Sequence, residues 1–168
     1  DLFQVLDLRN QSIMYFNEVP HSGNEFILLP QDQLAELYQI ADAFVLLSGE
    51  GFGMPTFEAM ATKLPCILIN HSASAELGAE GRAELVPVSG SITWTGGHLT
   101  QRPIPDMDSS VSAFLRMFKD RVHRERIAQA GYDFSTQFPW SRIVDDWHAL
   151  FVDHEVPFRK PMSLEVVI

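Results

Sequence analysis

Ala43-Phe44-Val45-Leu46-Leu47-Ser48-Gly49-Glu50-Gly51-Phe52-Gly53-Met54-Pro55-Thr56-Phe57-Glu58-Ala59-Met60-Ala61 is the stretch that decides the fold. Its first five residues are apolar without alternation, the pattern of a strand covered on both faces. Glycines at 49, 51 and 53 then make a turn. Pro55 sits where a helix begins, because the N–H it lacks has no partner in a first turn. Phe57, Met60 and Ala61 form the apolar side of that helix, Pro65 stops it, and Cys66–Ile69 is a second strand without alternation. Just upstream, Asp32 caps a helix whose Leu34, Leu37, Tyr38 and Ala41 recur at three- and four-residue spacing. Downstream, residues 84–88 suit a third short strand. Strands alternating with helices at this spacing imply right-handed crossovers and a parallel sheet, so the fold class is α/β.

Farther out, residues 26–29 read as a strand stopped by Pro30, residues 2–8 as the end of a helix and residues 12–16 as a short strand. Residues 89–105 hold Gly90, Gly96, Gly97, Pro103 and Pro105 around Trp94 and read as a long loop or small hairpin. Such segments in compact domains are often functional, and this one suits either a lid or an anchored hairpin. Asp106 or Asp108 caps a helix with Val111, Phe114, Leu115 and Phe118 on one face; Phe114 and Phe118 are expected in the core. A second helix runs to Gly131 as its C-terminal cap. A third, after Pro139, carries Ile143, Val144, Trp147, Leu150 and Phe151 along one stripe, with Trp140 and Trp147 expected to pack. The expected organisation is one domain over 1–157 and a tail over 158–168.

Composition narrows the function. The chain has 168 residues, 46% apolar, with 12 basic against 22 acidic side chains and a formal charge of −10. That balance argues against nucleic acid or an anionic membrane as the main partner, since both demand a basic face. Cys66 is the only cysteine, which excludes a disulfide framework and points to a reducing, cytoplasmic compartment. No apolar run reaches the roughly 20 residues that span a bilayer, and no signal segment opens the sequence. Asp1 rather than Met comes first, so a piece of a longer protein is expected.

Open parallel sheets bind ligands beyond the C-terminal ends of their strands, where free amides at a helix start favour an anion. Residues 48–58 occupy that place. Gly51 and Gly53 let the main chain approach a ligand closely. Glu50 in the turn and Glu58 in the helix are acceptors able to chelate paired hydroxyls. A diphosphate on the helix start, with sugar hydroxyls on both sides, satisfies every element, and both carboxylates are expected to border one cleft. Taken singly, each feature has a plainer reading, because an acid near a helix start gains only about 0.3–1 kcal/mol from the dipole.

The combination Glu50-x7-Glu58 with Gly-Phe-Gly-Met-Pro between, followed by Glu-Ala-Met-Ala, resembles the signature of retaining glycosyltransferases of family 4, the glycosyl transferases group 1 domain. Leu37-Tyr38-Gln39-Ile40-Ala41-Asp42-Ala43-Phe44-Val45 looks like that family's helix and strand just upstream. Leu64-Pro65-Cys66-Ile67 resembles the strand that follows, and Ala75-Glu76-Leu77 its short turn. The likeness is close over about residues 25–88 and looser from 105 to 151. It implies a Rossmann-like parallel sheet with flanking helices, the C-terminal half of a GT-B enzyme. It also implies that Glu58 holds the ribose of a nucleoside diphosphate sugar and that Glu50, the catalytic candidate, lies near the donor sugar. Backbone amides of Gly51, Phe52 and Gly53 would face sugar hydroxyls, and those beside Met54 and Pro55, especially of Thr56 and Phe57, the diphosphate. Retention of configuration without a metal or other cofactor is implied, the nucleotide sugar being a substrate. The partners implied are that donor and an N-terminal acceptor domain absent from these residues, through which contact with the inner membrane face would come. Without that half, and without the Arg/Lys pair that the family carries with the donor half's opening strand and that would precede residue 1, the chain is expected to be inactive alone. Two positions depart from the family pattern: one residue rather than two separates Ser48 from Glu50, and Lys63 replaces the usual glycine after the glutamate helix.

Other signals have plain explanations. Asp106-Met107-Asp108 matches the metal-binding triplet of a different glycosyltransferase class, but its place before a helix suits capping. The six histidines show no metal-ligand spacing; His71 follows a strand end near the proposed pocket, in reach of the donor, though solvent suffices to account for it. A non-catalytic nucleotide-sugar-binding or scaffold domain is the alternative function, and a GT-B-shaped epimerase a weaker third.

Overall fold

The computed structural model describes residues 31–94 and 100–153. The elements expected at 2–8, 12–16 and 26–29, the glycines at 96 and 97, and the tail at 158–168 lie outside them. Strands β1 (Phe44–Leu46), β2 (Cys66–Ile69) and β3 (Glu84–Val86) form a parallel sheet in the order β1-β2-β3. Phe44 pairs with Cys66 and Leu68 with Leu85. Helix α1 (Gln31–Ile40) precedes β1, α2 (Met54–Ala61) joins β1 to β2, and α3 (Ser72–Gly78) joins β2 to β3. An antiparallel hairpin, β4 (Val88–Trp94) and β5 (Thr100–Pro105), follows, and then α4 (Met107–Lys119), α5 (Arg121–Ser135) and α6 (Trp140–Asp153). This is the expected α/β architecture, a parallel sheet flanked by helices.

Alternation along β2 builds the core on both sides of the sheet. Cys66 and Leu68 face a cluster with Ala59, Met60, Leu64, Leu77 and Ala83, while Ile67 faces one with Val86, Ala113, Met117 and Ile127. All four residues of β2 are buried. The same apolar pattern in β1 misleads: Val45 is 39% exposed, because among the described residues β1 pairs only with β2 and forms the sheet's edge. Burial pushes the Cys66 thiol up to about 12, so it stays protonated and inert at neutral pH.

Four expectations about helices are corrected. Gly131 does not end α5, which runs on to Ser135. A Cβ there would lie 3.0 Å from Met60 Cγ and 3.4 Å from the Arg82 carbonyl oxygen, so this glycine lets α5 cross α2 closely. The inward face of α4 is Ser110, Ala113 and Met117, whose two small residues bring the helix near the sheet. Phe114 and Phe118 lie off that face, Phe118 being 80% exposed. On α2 the buried residues are Thr56, Ala59 and Met60, and Ala61 is exposed. The stripe on α6 is also exposed, Trp140 to 76%, and Trp147 stacks on Phe151. Asp106 is the cap of α4: its carboxylate accepts from the Ser109 amide at 2.8 Å, and hydrogen bonds from Ser109 hold its carboxyl pKa below the usual value.

Lys63 adopts the conformation that glycine would supply. Its φ is +60°, and the Lys63 and Leu64 amides donate to the carbonyls of Met60 and Ala59. That pattern is a Schellman closure of α2. The Lys63 ammonium sits 4.6 Å from the centre of the Tyr132 ring, a cation–π contact that offsets part of the backbone cost.

Gly78 ends α3 beneath β3. A Cβ at this position would come within 2.7 Å of Leu85 Cδ2 and 3.1 Å of the Ala83 Cβ. Overpacking of this kind costs about 1–3 kcal/mol, so Gly78→Ala is expected to lower stability by that amount in urea unfolding. A neutral or stabilising effect would show that α3 does not press on β3 as described.

Candidate functional site

The C-terminal ends of β1 and β2 form the rim that positions the candidate residues. Beyond β1, Ser48, Gly49 and Glu50 run into the glycine turn; beyond β2, His71 and Ser72 begin α3. The Ser72 hydroxyl donates to the Glu50 carbonyl oxygen at 3.0 Å, tying the two strand ends together. Ser72 has a φ of +53°, a left-handed backbone uncommon for residues other than glycine. Ser48, Gly49, Glu50, His71 and Ser72 make one wall of a cavity of about 480 Å³. Its other wall is the start of β5: Thr100, Gln101, Arg102 and Pro103.

The turn and the first turn of α2 come next. A Cβ on Gly51 would meet nothing within 4 Å, whereas Gly53 is buried with a φ of +89° and a Cβ there would lie 2.9 Å from Leu77 Cδ1. Phe52 is 64% exposed, and Met54 and Pro55 are also exposed. Thr56 is fully buried, and its hydroxyl has no hydrogen-bond partner among the described residues. Phe57 packs edge-on against Phe134 and Phe138. Its amide donates to the Gly53 carbonyl at 3.0 Å, and Pro55 has none to give. Of the first-turn residues whose amides are expected to face an anion, Thr56 is fully buried and Phe57 is engaged, while Met54 is exposed.

Glu58 lies one turn along α2, half-buried between α2 and α1. The Tyr38 hydroxyl donates to its Oε2 at 3.0 Å. Burial, with this bond and the adjacent carboxylate, pushes the Tyr38 phenol up to about 12, so it remains a donor at any physiological pH. Glu58 and Tyr38 line a second cavity of about 260 Å³ with Leu34, Ala35, Ala61 and Thr62. Among the described residues, none lines both cavities. The expectation of one shared cleft is therefore not met. The turn is too tight to aim both side chains into the same space: Glu50 precedes it at the strand end, and Glu58 follows on the helix flank facing α1.

Several members of this arrangement escaped the sequence. Tyr38 read as one apolar contact of α1, and only its position on the strand-facing helix hinted at more. Gln101 and Arg102 lay within the segment marked as a functional loop or hairpin, without being singled out. His71, which solvent alone could explain, borders the Glu50 cavity.

The family model described as glycosyl transferases group 1 matches residues 22–134. That span contains the sheet, the turn, both cavities and the hairpin. No curated protein sequence matches the chain.

The glycine turn makes an asymmetric demand that substitution can test. Gly51→Ala meets open space and is expected to leave unfolding free energy within about 0.5 kcal/mol of the parent, as for an ordinary surface change. Gly53→Ala forces a side chain into a positive-φ position against Leu77 and is expected to cost about 1–3 kcal/mol. Equal effects of the two in chemical denaturation would refute the turn geometry.

Proposed function

The chain belongs to the glycosyl transferases group 1 family, and from that premise we propose that it is the donor-binding half of a retaining hexosyltransferase using a nucleoside diphosphate sugar. One observation carries the reading: the Glu50-x7-Glu58 turn emerges at the C-terminal rim of a parallel sheet, with the two acids in separate recesses on either flank. A nucleoside diphosphate sugar has three parts, and Glu50 and Glu58 stand on either side of the turn that would take its middle one. Glu58, steadied by Tyr38 and beside the apolar Leu34 and Ala35, takes the ribose hydroxyls. The exposed start of α2 at Met54 meets the diphosphate, and the Glu50 cavity takes the sugar.

In this reading the anomeric carbon loses its bond to the diphosphate oxygen and gains one to an acceptor hydroxyl on the same face, while the acceptor proton departs. Charge on the leaving group is met by preorganised donors at the turn, without a resident metal, in keeping with the family resemblance. Glu50 borders the reacting end. The acceptor is held by a second, N-terminal domain, the part through which any membrane contact is made. Among the described residues no helix is long and apolar enough to cross a membrane.

A thermal-shift panel of UDP, GDP, ADP and their hexose conjugates tests the proposal. One nucleotide series is expected to raise the melting temperature of the purified chain, and Glu58→Ala to remove most of that rise at equal ligand concentration. A stabilised Glu58→Ala variant would place the nucleotide elsewhere. Release of sugar by the purified chain alone would overturn the assignment of the acceptor role to a second domain.

A further inference from the structure

The Glu50 cavity is built from two parts of the chain that are distant in sequence. Its floor is the sheet rim common to open parallel sheets. Its outer wall, Thr100, Gln101, Arg102 and Pro103, comes from the β4–β5 hairpin. The hairpin is seated firmly there. Pro103 is buried, and Gly49 approaches it so closely that a Cβ on Gly49 would sit 3.3 Å from Pro103 Cδ. At its base the Asp106 amide donates to the Pro87 carbonyl at 2.8 Å, and the Ser89 hydroxyl donates to the Ile104 carbonyl. Pairing runs from Val88 opposite Pro105 to Trp94 opposite Thr100. A wall held in this way keeps its side chains at a fixed height above the rim.

Resting on the donor-binding reading above, we propose that this hairpin determines which sugar the donor carries, with Gln101 and Arg102 contacting the hydroxyls of a hexose whose other side faces Glu50. The chemistry of the two walls supports a neutral, polyhydroxylated ring. Glu50 can only accept hydrogen bonds and Arg102 can only donate them, whereas Gln101, Ser48, Ser72 and Thr100 do both. A hydroxyl beside Glu50 must donate and one beside Arg102 must accept. A ring with an inverted hydroxyl leaves one of these groups poorly matched, the kind of mismatch by which hydrogen-bonding sites discriminate strongly. A diphosphate would need donors alone, and an apolar group would leave the whole lining unpaired.

Isothermal titration of the purified chain with each free nucleoside diphosphate and its glucose, galactose and mannose conjugates separates the sugar contribution from that of the nucleotide. For the hexose that binds best, the gain in affinity over the free nucleotide is expected to fall about fivefold or more in Arg102→Gln and in Gln101→Ala. Free-nucleotide affinity should stay within about twofold of the parent. Gln101 is exposed, so the unliganded melting temperature of Gln101→Ala should match the parent, and both variants are compared at temperatures well below their own melting. An unchanged sugar contribution in both variants overturns the proposal and leaves the donor-binding reading intact. Equal weakening of the free nucleotide also overturns it, by assigning Arg102 to the diphosphate. Failure of every nucleotide to bind the parent chain defeats the donor-binding reading, and this inference with it.

Discussion

The left-handed backbone at Gly53, pressed beneath Leu77, fixes the direction in which α2 leaves the sheet. A residue with a side chain would meet Leu77 at 2.9 Å in a conformation that L residues rarely adopt. Because the turn cannot relax, α2 starts directly over the ends of β1 and β2. Thr56, Ala59 and Met60 are driven into the core, and Glu58 is left on the flank toward α1. Leu77 belongs to the same buried cluster as Met60, Cys66 and Leu68. Position at the turn is thus coupled to packing in the interior, and neither can shift without the other.

The close of α2 shows the same economy of backbone geometry. Lys63 accepts a positive φ where glycine would be free of strain, at a cost of roughly 1–2 kcal/mol. Its ammonium rests on Tyr132, a residue of α5, the helix that crosses α2 at Gly131. One end of α2 is therefore defined by a glycine that must be glycine, and the other by a lysine joined to a neighbouring helix. Between them, two turns of helix carry the acid that defines the family signature.

How much of this was legible in the sequence varied with the physics involved. β2 was read to the residue and the start of α2 to within one, because an uninterrupted apolar run and a glycine–proline start depend on local chemistry alone. Burial of β1 was overestimated, since an apolar run reports that a strand can be covered, not that a neighbour covers it. Phe118 was assigned to the core because it lies on the bulkier face of α4. The contact instead uses Ser110, Ala113 and Met117, since helix approach favours small residues that a reading of hydrophobicity undervalues. Gly131 was read as a stop signal because a glycine's role in close approach is set by a partner, Met60, seventy-one positions away. Tyr38, Gln101 and Arg102 escaped for a similar reason: their importance comes from what they face across the fold.

A formal charge of −10 and a proposed dianionic ligand are compatible once distance is considered. Net charge governs encounters with extended polyanions, which sample the whole surface. A small ligand in a recess experiences chiefly the groups within about 8–10 Å, beyond which salt screens exposed charges. Locally, the described lining of the Glu50 recess holds Arg102 beside Glu50, and the start of α2 contributes amide dipoles without an acidic side chain in its first turn. The acidic excess instead includes residues on surfaces away from this rim, such as Asp145 and Asp146 on α6. Global charge thus argues against one class of partner while leaving the polarity of the site to its own residues. In the same way, the two carboxylates of the signature are better understood through their separate surroundings than through their spacing in the sequence.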